Sequence, residues 1–187
     1  MKFDSMKNIA YTLLFGILLF TACSTSTRTV FSQKFYKNSG LSAEDLKKVQ
    51  FYVDRDIILE RSIDQGSTMI EGGKVLIKGG KKIQEVIIRS GTKGVLTYMP
   101  KDDRMGISFD AKNADNYLMF GPNPKNNNRY TLLAENWNKN YGVISYGGAK
   151  WTTSASAATA TLLIEYSDNR TRKTQTKVES GRSVGSN

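Results

Sequence analysis

From residue 49 onward, short apolar runs rich in aromatic and β-branched residues are separated by polar turn residues, chiefly Gly, Asn and Asp. β-Branched and aromatic residues favour extended backbone, and Gly, Asn and Asp favour the turns between strands. The pattern predicts strands at 49–54, 56–63, 67–71, 74–78, 82–89, 94–99, 105–110, 116–121, 130–135, 141–146, 149–153, 158–166 and 170–178. Such short, closely spaced strands predict an all-β fold, a small barrel or a sandwich of antiparallel strands.

Three glycine pairs separate neighbouring apolar runs, and two consecutive glycines can adopt the positive φ angles of a tight hairpin turn. They are Gly72-Gly73, Gly79-Gly80 and Gly147-Gly148. We expect strand 74–78 to pair with 82–89 and strand 141–146 to pair with 149–153. Residues 85–109, with Ile-Arg-Ser-Gly-Thr-Lys-Gly-Val at their centre, resemble the strand and turn rhythm of small SH3-like barrels, where a Gly-containing turn leads into a strongly curved strand.

One short N-terminal helix is predicted ahead of the strands. Ser42 is a good N-cap residue, and Asp45 follows at the position from which a side chain can bond back to the cap. Leu41 and Leu46 have the spacing of a hydrophobic staple across the first turn. The helix therefore begins just after Ser42 and is short.

The N-terminus has the three parts of an export signal. Residues 1–7 are basic, residues 9–20 form an apolar run, and Thr21 and Ala22 are the small residues that a signal peptidase needs. The apolar run is too short to span a bilayer as a helix. The only cysteine of the chain, Cys23, follows directly.

This arrangement resembles bacterial lipoprotein signal peptides, whose lipobox ends in the modified cysteine. Phe20, Thr21, Ala22 and Cys23 occupy the lipobox positions, with Phe20 where the family usually has Leu. The resemblance implies cleavage before Cys23, a diacylglycerol on its thiol and a further acyl chain such as palmitate on its amine. Because Ser24 is not Asp, it also implies an outer-membrane anchor facing the periplasm, with the inner membrane and the cell surface as alternatives.

Four segments follow from these patterns. Residues 1–22 are the signal peptide, residues 23–40 the lipidated cysteine and a flexible tether, residues 41–179 a single β domain, and residues 180–187 a disordered tail. The tether reaches at most about 55 Å when fully extended. The polar loop at 122–129 is either a surface loop or a break between two β subdomains.

Composition excludes several classes of chemistry. The chain has no histidine, and Cys23 is its one cysteine, so an acylated chain has no free thiol. This excludes Ser-His-Asp and Cys-His catalysis, disulfides, and zinc or haem sites that depend on imidazole or thiolate. No cofactor or metal is expected. The formal net charge of +10 favours anionic partners, and for an exported chain these are envelope proteins, glycans or lipids rather than nucleic acid.

Two sets of side chains are candidate binding faces. A possible anionic-ligand face gathers the cations around one predicted hairpin and the next turn: Lys74, Lys78, Lys81, Lys82, Arg89 and Lys93. A possible aromatic face, able to stack on sugar rings, comprises Trp137, Tyr141, Tyr146 and Trp151. A solvated hairpin that guards an edge strand is the alternative for the first set, and an ordinary β core is the alternative for the second.

Carboxylates are the remaining source of catalysis, because a glycosidase needs two of them at a fixed separation. The candidates are Asp54, Asp56, Glu60, Asp102, Asp103 and Asp110, and their spacing selects no pair. The sequence therefore favours a membrane-anchored lipoprotein whose non-catalytic β domain binds an envelope component or a protein partner. An envelope hydrolase acting on glycan or peptide, and an inhibitor or immunity lipoprotein with a protruding loop at 122–129, are the alternatives.

Overall fold

The structure, a computed structural model, describes residues 27–63 and 73–165. Within these two stretches the chain forms two short α-helices and thirteen strands. The helices are α1 (Gln33–Ser39) and α2 (Ala43–Leu46). The strands are β1 (Arg28–Val30), β2 (Phe51–Val53), β3 (Ile57–Ser62), β4 (Lys74–Lys78), β5 (Lys81–Ile88), β6 (Lys93–Lys101), β7 (Arg104–Ser108), β8 (Tyr117–Asn123), β9 (Arg129–Leu132), β10 (Asn136–Trp137), β11 (Tyr141–Tyr146), β12 (Ala149–Ser154) and β13 (Leu162–Glu165).

The strands form two antiparallel sheets that pack as an open sandwich. The first sheet has the order β1-β13-β2-β6-β7-β8-β9, and the second has the order β10-β11-β12-β3-β5-β4. Isolated bridges join Ser32 to Arg129 and Thr131 to Thr161, so β9 touches the segments beside β1 and β13 at the other side of the first sheet. Within the described residues, no continuous ladder of strand pairing closes the first sheet there. The sandwich alternative therefore holds, and the closed-barrel alternative is wrong. The likeness to SH3-like barrels stays a prediction.

One apolar core lies between the sheets, because the strands alternate in burial and turn their apolar rows inward. The first sheet contributes Phe51, Ile107, Leu118, Phe120 and Ile164. The second contributes Ile57, Leu59, Ile144 and Trp151. Each such side chain contributes about 1.5–3 kcal/mol when it is fully removed from water. This burial fixes which face of every strand points to solvent.

The strongest turn signals of the sequence are confirmed. Strand β4 pairs with β5 across Gly79 and Gly80, whose φ angles are 54° and 75°. Strand β11 pairs with β12 across Gly147 and Gly148, whose φ angles are 55° and 72°. Most side chains with a Cβ are strained at such angles, so glycine is favoured at these positions. Predicted strands 67–71 and 170–178 and the turn residue Gly72 lie outside the described residues.

Helix α2 begins where the sequence predicts it. Ser42 accepts a hydrogen bond from the Asp45 backbone N–H at 3.2 Å, and the Asp45 carboxylate accepts the Ser42 backbone N–H at 3.0 Å. Leu46 at the end of the helix is fully buried. The reciprocal cap and the buried leucine explain why so short a helix forms.

Residues 28–40 do not form the predicted tether. They form β1 and α1 instead, with Ser32 capping the helix by accepting the Phe35 N–H at 3.1 Å and Gly40 ending it at a φ of 63°. Phe31 lies between the two elements with no exposed surface. The many Ser and Thr residues suggest a linker, but the tether prediction is wrong here because Phe31 is held in the core.

Residues 122–129 connect neighbouring strands of one sheet. Strand β8 runs through Asn123, a 3-10 turn covers Pro124–Asn126, and β9 returns alongside β8. Asn127 and Asn128 adopt left-handed φ angles of 50° and 52°, which asparagine tolerates. The subdomain alternative is therefore wrong, and the segment is a hairpin turn.

Candidate functional site

Four of the predicted cations lie on the β4–β5 hairpin, and we call Lys74, Lys78, Lys81 and Lys82 the hairpin lysines. Lys78 is directly opposite Lys81, and Lys74 is opposite Glu85. Because side chains alternate along a strand, Lys74, Lys78 and Lys81 share the outer face of the sheet, whereas Lys82 is on the other face. All four are exposed.

The other two predicted cations lie elsewhere. Arg89 is separated from Lys81 by the length of β5, roughly 27 Å, and it pairs with Asp56 at 3.1 Å. Lys93 begins β6 in the other sheet, opposite Tyr52. The six cations therefore do not form one face, and the positive charge is concentrated at the hairpin.

Ion pairing distinguishes the hairpin lysines from one another. Lys78 forms an ion pair with Glu60 and lies 3.9 Å from Glu85. The hydrogen bond to Glu60 raises the pKa of Lys78, since it stabilises the charged ammonium. Lys74, Lys81 and Lys82 have no ion pair among residues 27–63 and 73–165. Three charges of this hairpin thus have no ion-pair partner in the described part of the chain.

The hairpin also exposes apolar surface on the face that carries Lys82. Ile77 is 77% exposed and is paired with Lys82, while Val75 on the same face is 44% exposed. This face therefore offers a hydrophobic contact beside one lysine, and the outer face offers the other lysines.

The predicted aromatic face is wrong, because two of its four rings belong to the core. Trp151 is 1% exposed and Tyr146 is 4% exposed. Their rings form an edge contact at 6.0 Å, and burial raises the pKa of Tyr146 to about 12. The ring of Trp137 packs against the backbone of Gly142 on the neighbouring strand and is half-buried. Of the four predicted rings, Tyr141 is the one counted as exposed, at 45%.

Three of the candidate carboxylates make structural contacts. Asp54 accepts the backbone N–H of Thr161 at 2.7 Å, and Asp56 accepts that of Ser90 at 2.8 Å. Glu60 pairs with Lys78. These contacts join strands and loops at both ends of β3.

The Asp110 carboxylate is also engaged in structural hydrogen bonds. Its oxygens accept the Asn116 side-chain amide at 2.7 Å and the Lys112 backbone N–H at 2.8 Å. The hydrogen bond from Asn116 lowers the pKa of Asp110, because it favours the ionised form. A general acid needs a raised pKa, so Asp110 is suited to holding its loop and not to donating a proton.

A cleft that the sequence did not predict lies where β8 approaches β11. It has a volume of about 200 Å³ and opens to solvent. Its lining residues are Arg104, Met119, Leu133, Ala134, Glu135, Ile144 and Ser145. They come from β7, β8, β11 and the segment between β9 and β10, so no local motif could have revealed the site.

Among the described residues, no group of three or more His, Cys, Asp and Glu side chains could hold a metal ion. The described helices are likewise too short or too polar to cross a bilayer. Cys23 lies outside the described residues.

The sequence matches no protein-family model, and no curated protein or solved structure shows significant similarity to it.

Proposed function

We propose that this chain is a membrane-anchored periplasmic lipoprotein whose β domain binds an anionic envelope component or protein partner without catalysing a reaction. The observation that carries the binding proposal is the hairpin, where Lys74, Lys81 and Lys82 are exposed without an ion pair among the described residues and Ile77 is exposed beside Lys82. The lipobox resemblance at Cys23 supports the anchor and its outer-membrane placement.

The folded N-terminus makes such an anchor short. Between Cys23 and Arg28, where β1 begins, an extended chain spans at most about 18 Å. An acyl group on Cys23 would therefore hold the β domain close to the bilayer surface. Mass spectrometry of the natively processed chain is expected to find Cys23 at the N-terminus carrying diacylglycerol, and an unmodified N-terminus or a retained signal peptide would contradict the anchor.

The use of the carboxylates supports a binding role over hydrolysis. Asp54, Asp56 and Asp110 are hydrogen-bonded to backbone or to loop side chains, and Glu60 is paired with a lysine. By contrast, Lys74, Lys81 and Lys82 face solvent and need no rearrangement to meet an anionic surface. We therefore place the activity of this domain at the hairpin.

Replacing two hairpin lysines tests this proposal. In a chain lacking residues 1–23, Lys81→Gln/Lys82→Gln is expected to weaken binding to phosphatidylglycerol vesicles about thirtyfold, because each surface lysine contributes about 1 kcal/mol. Vesicle co-sedimentation at low and high salt measures the effect, and the loss should shrink as salt screens the charges.

The matched control is Lys125→Gln/Lys139→Gln, which removes two exposed lysines of the described chain that form no ion pair there. This variant has the same net charge as the test variant. If both variants lose binding equally, total charge and not the hairpin is responsible. If the unmodified chain ignores these vesicles and a soluble polyglutamate alike, the anionic-partner proposal is wrong.

A further inference from the structure

The cleft between β8 and β11 has an apolar floor that continues into the core. Ile144 is 1% exposed and belongs to the core, and Ala134 packs against the same cluster. Met119 and Leu133 complete the apolar wall and are half-buried. A ligand group entering here would remove apolar surface from water on both sheets of the sandwich.

Arg104 is held at the rim by close packing on a glycine. A methyl group added at Gly121 would lie 2.9 Å from Leu133 Cδ1 and 3.4 Å from Arg104 Cδ. The leucine and the arginine stem therefore lie beside the Gly121 backbone. The Arg104 stem is in van der Waals contact at the rim, and its guanidinium extends from there.

The two charged residues at the rim of the cleft, Glu135 and Arg104, differ in how strongly they are paired with other side chains. Glu135 accepts hydrogen bonds from both Lys150 and Ser145, and the bond from Lys150 lowers the pKa of Glu135. Among the described residues, Arg104 has one ion-pair partner, its chain neighbour Asp103 at 3.8 Å, with both side chains 47% exposed. An exposed pair at that distance contributes little, so the guanidinium is available to an anionic ligand.

The volume sets the size of what can enter. An apolar cavity of about 150 Å³ holds one benzene-sized group, and drug-sized ligands need about 300 Å³ or more. At about 200 Å³ the cleft admits one apolar side chain, and its open mouth lets the rest of a ligand extend into solvent.

We propose that this cleft binds the apolar C-terminal residue of a peptide chain, with the side chain against Met119 and Ile144 and the terminal carboxylate on the guanidinium of Arg104. A guanidinium binds a carboxylate through two parallel hydrogen bonds, which gives the site its preference for a free C-terminus. The proposal is independent of the hairpin, because the two sites share no residue.

The probe is acetyl-Gly-Gly-Leu with a free carboxylate, compared with the same peptide as its C-terminal amide. Methyl NMR signals of Met119, Leu133 and Ala134 in the full mature chain report on occupancy. The acid is expected to bind at least about tenfold more tightly than the amide, as the loss of a charge-assisted hydrogen bond predicts. Equal affinities would overturn the assignment to Arg104.

Arg104→Gln is expected to abolish the difference between acid and amide, because neither peptide then meets a guanidinium. Arg129→Gln, a matched loss of an exposed arginine on β9, should leave the tenfold difference intact. Ala134→Leu should fill the cleft and prevent both peptides from binding. Signals of the distant strand β4 show whether each variant keeps its fold.

Two further results would overturn the proposal. If 4-methylpentanoate, which carries the same side chain and carboxylate without a peptide, binds as tightly as the acid peptide, the site recognises a small free acid. If no probe shifts the cleft methyl signals up to millimolar concentrations, the cleft binds no such group. Neither result changes what the hairpin variants show with vesicles.

Discussion

Trp151→Ala is expected to lower the free energy of unfolding by about 3–5 kcal/mol, the cost of removing a large aromatic side chain from a packed core. Trp151 is 1% exposed, and its indole N–H donates to the carbonyl oxygen of Tyr146 at 2.9 Å. The guanidinium carbon of Arg61 lies 4.8 Å from the ring. The substitution removes packing, a buried hydrogen bond and a cation–π contact together.

Urea denaturation followed by far-ultraviolet circular dichroism measures this loss. Tyr141→Ala is the matched control on the neighbouring strand, because its ring is 45% exposed and its removal should change the free energy of unfolding by less than about 1 kcal/mol. A Trp151→Ala variant as stable as the unmodified chain would contradict the core assignment and restore the ring to the candidate binding residues.

The second sheet was largely predictable because its signals are local. In β4, β5, β11 and β12, short runs rich in apolar, aromatic and β-branched residues lie on either side of paired glycines that mark the turns. Both features operate within a few residues, so a single sequence is enough to define them. The register then follows, because a two-residue turn fixes which residues lie opposite each other.

Strands β1 and β10 and helix α1 were not predicted, and of these β1 depends on a distant partner. Strand β1 has three residues and exists because it pairs with β13 near the other end of the chain. Strand β10 has two residues beside β11. Alternation cannot be recognised over so few positions, and long-range pairing leaves no trace in the local sequence.

The candidate binding sites differ in the same way, according to whether their residues are close together in the sequence. The hairpin lysines are close in sequence, so their proximity could be predicted. Tyr141 and Tyr146 are five residues apart on β11, and alternation alone places them on opposite faces. The sequence thus contained the reason why the aromatic set could not form one face. The cleft at Arg104 is different, because only the folded chain brings its four segments together.

Phe31→Ala is expected to lower the free energy of unfolding by about 3–5 kcal/mol, although sequence composition places this residue in a tether. Phe31 has no exposed surface. Its ring forms edge contacts with Tyr130 at 4.8 Å and Phe51 at 5.6 Å. Its backbone N–H donates to Leu162 at 2.9 Å, and its carbonyl accepts the Tyr130 N–H at 3.0 Å. This one residue therefore joins the N-terminal segment to β9 and β13.

Thermal unfolding measures the effect, and the midpoint of the Phe31→Ala chain should fall by about 6–20 °C. Thr29→Ala is the control in the same strand, because Thr29 is exposed and should change the free energy of unfolding by less than about 1 kcal/mol. An unchanged midpoint for Phe31→Ala would mean that residues 24–40 act as a free tether with a reach of about 55 Å. The expected loss instead means that the fold itself sets the short distance between Cys23 and the β domain.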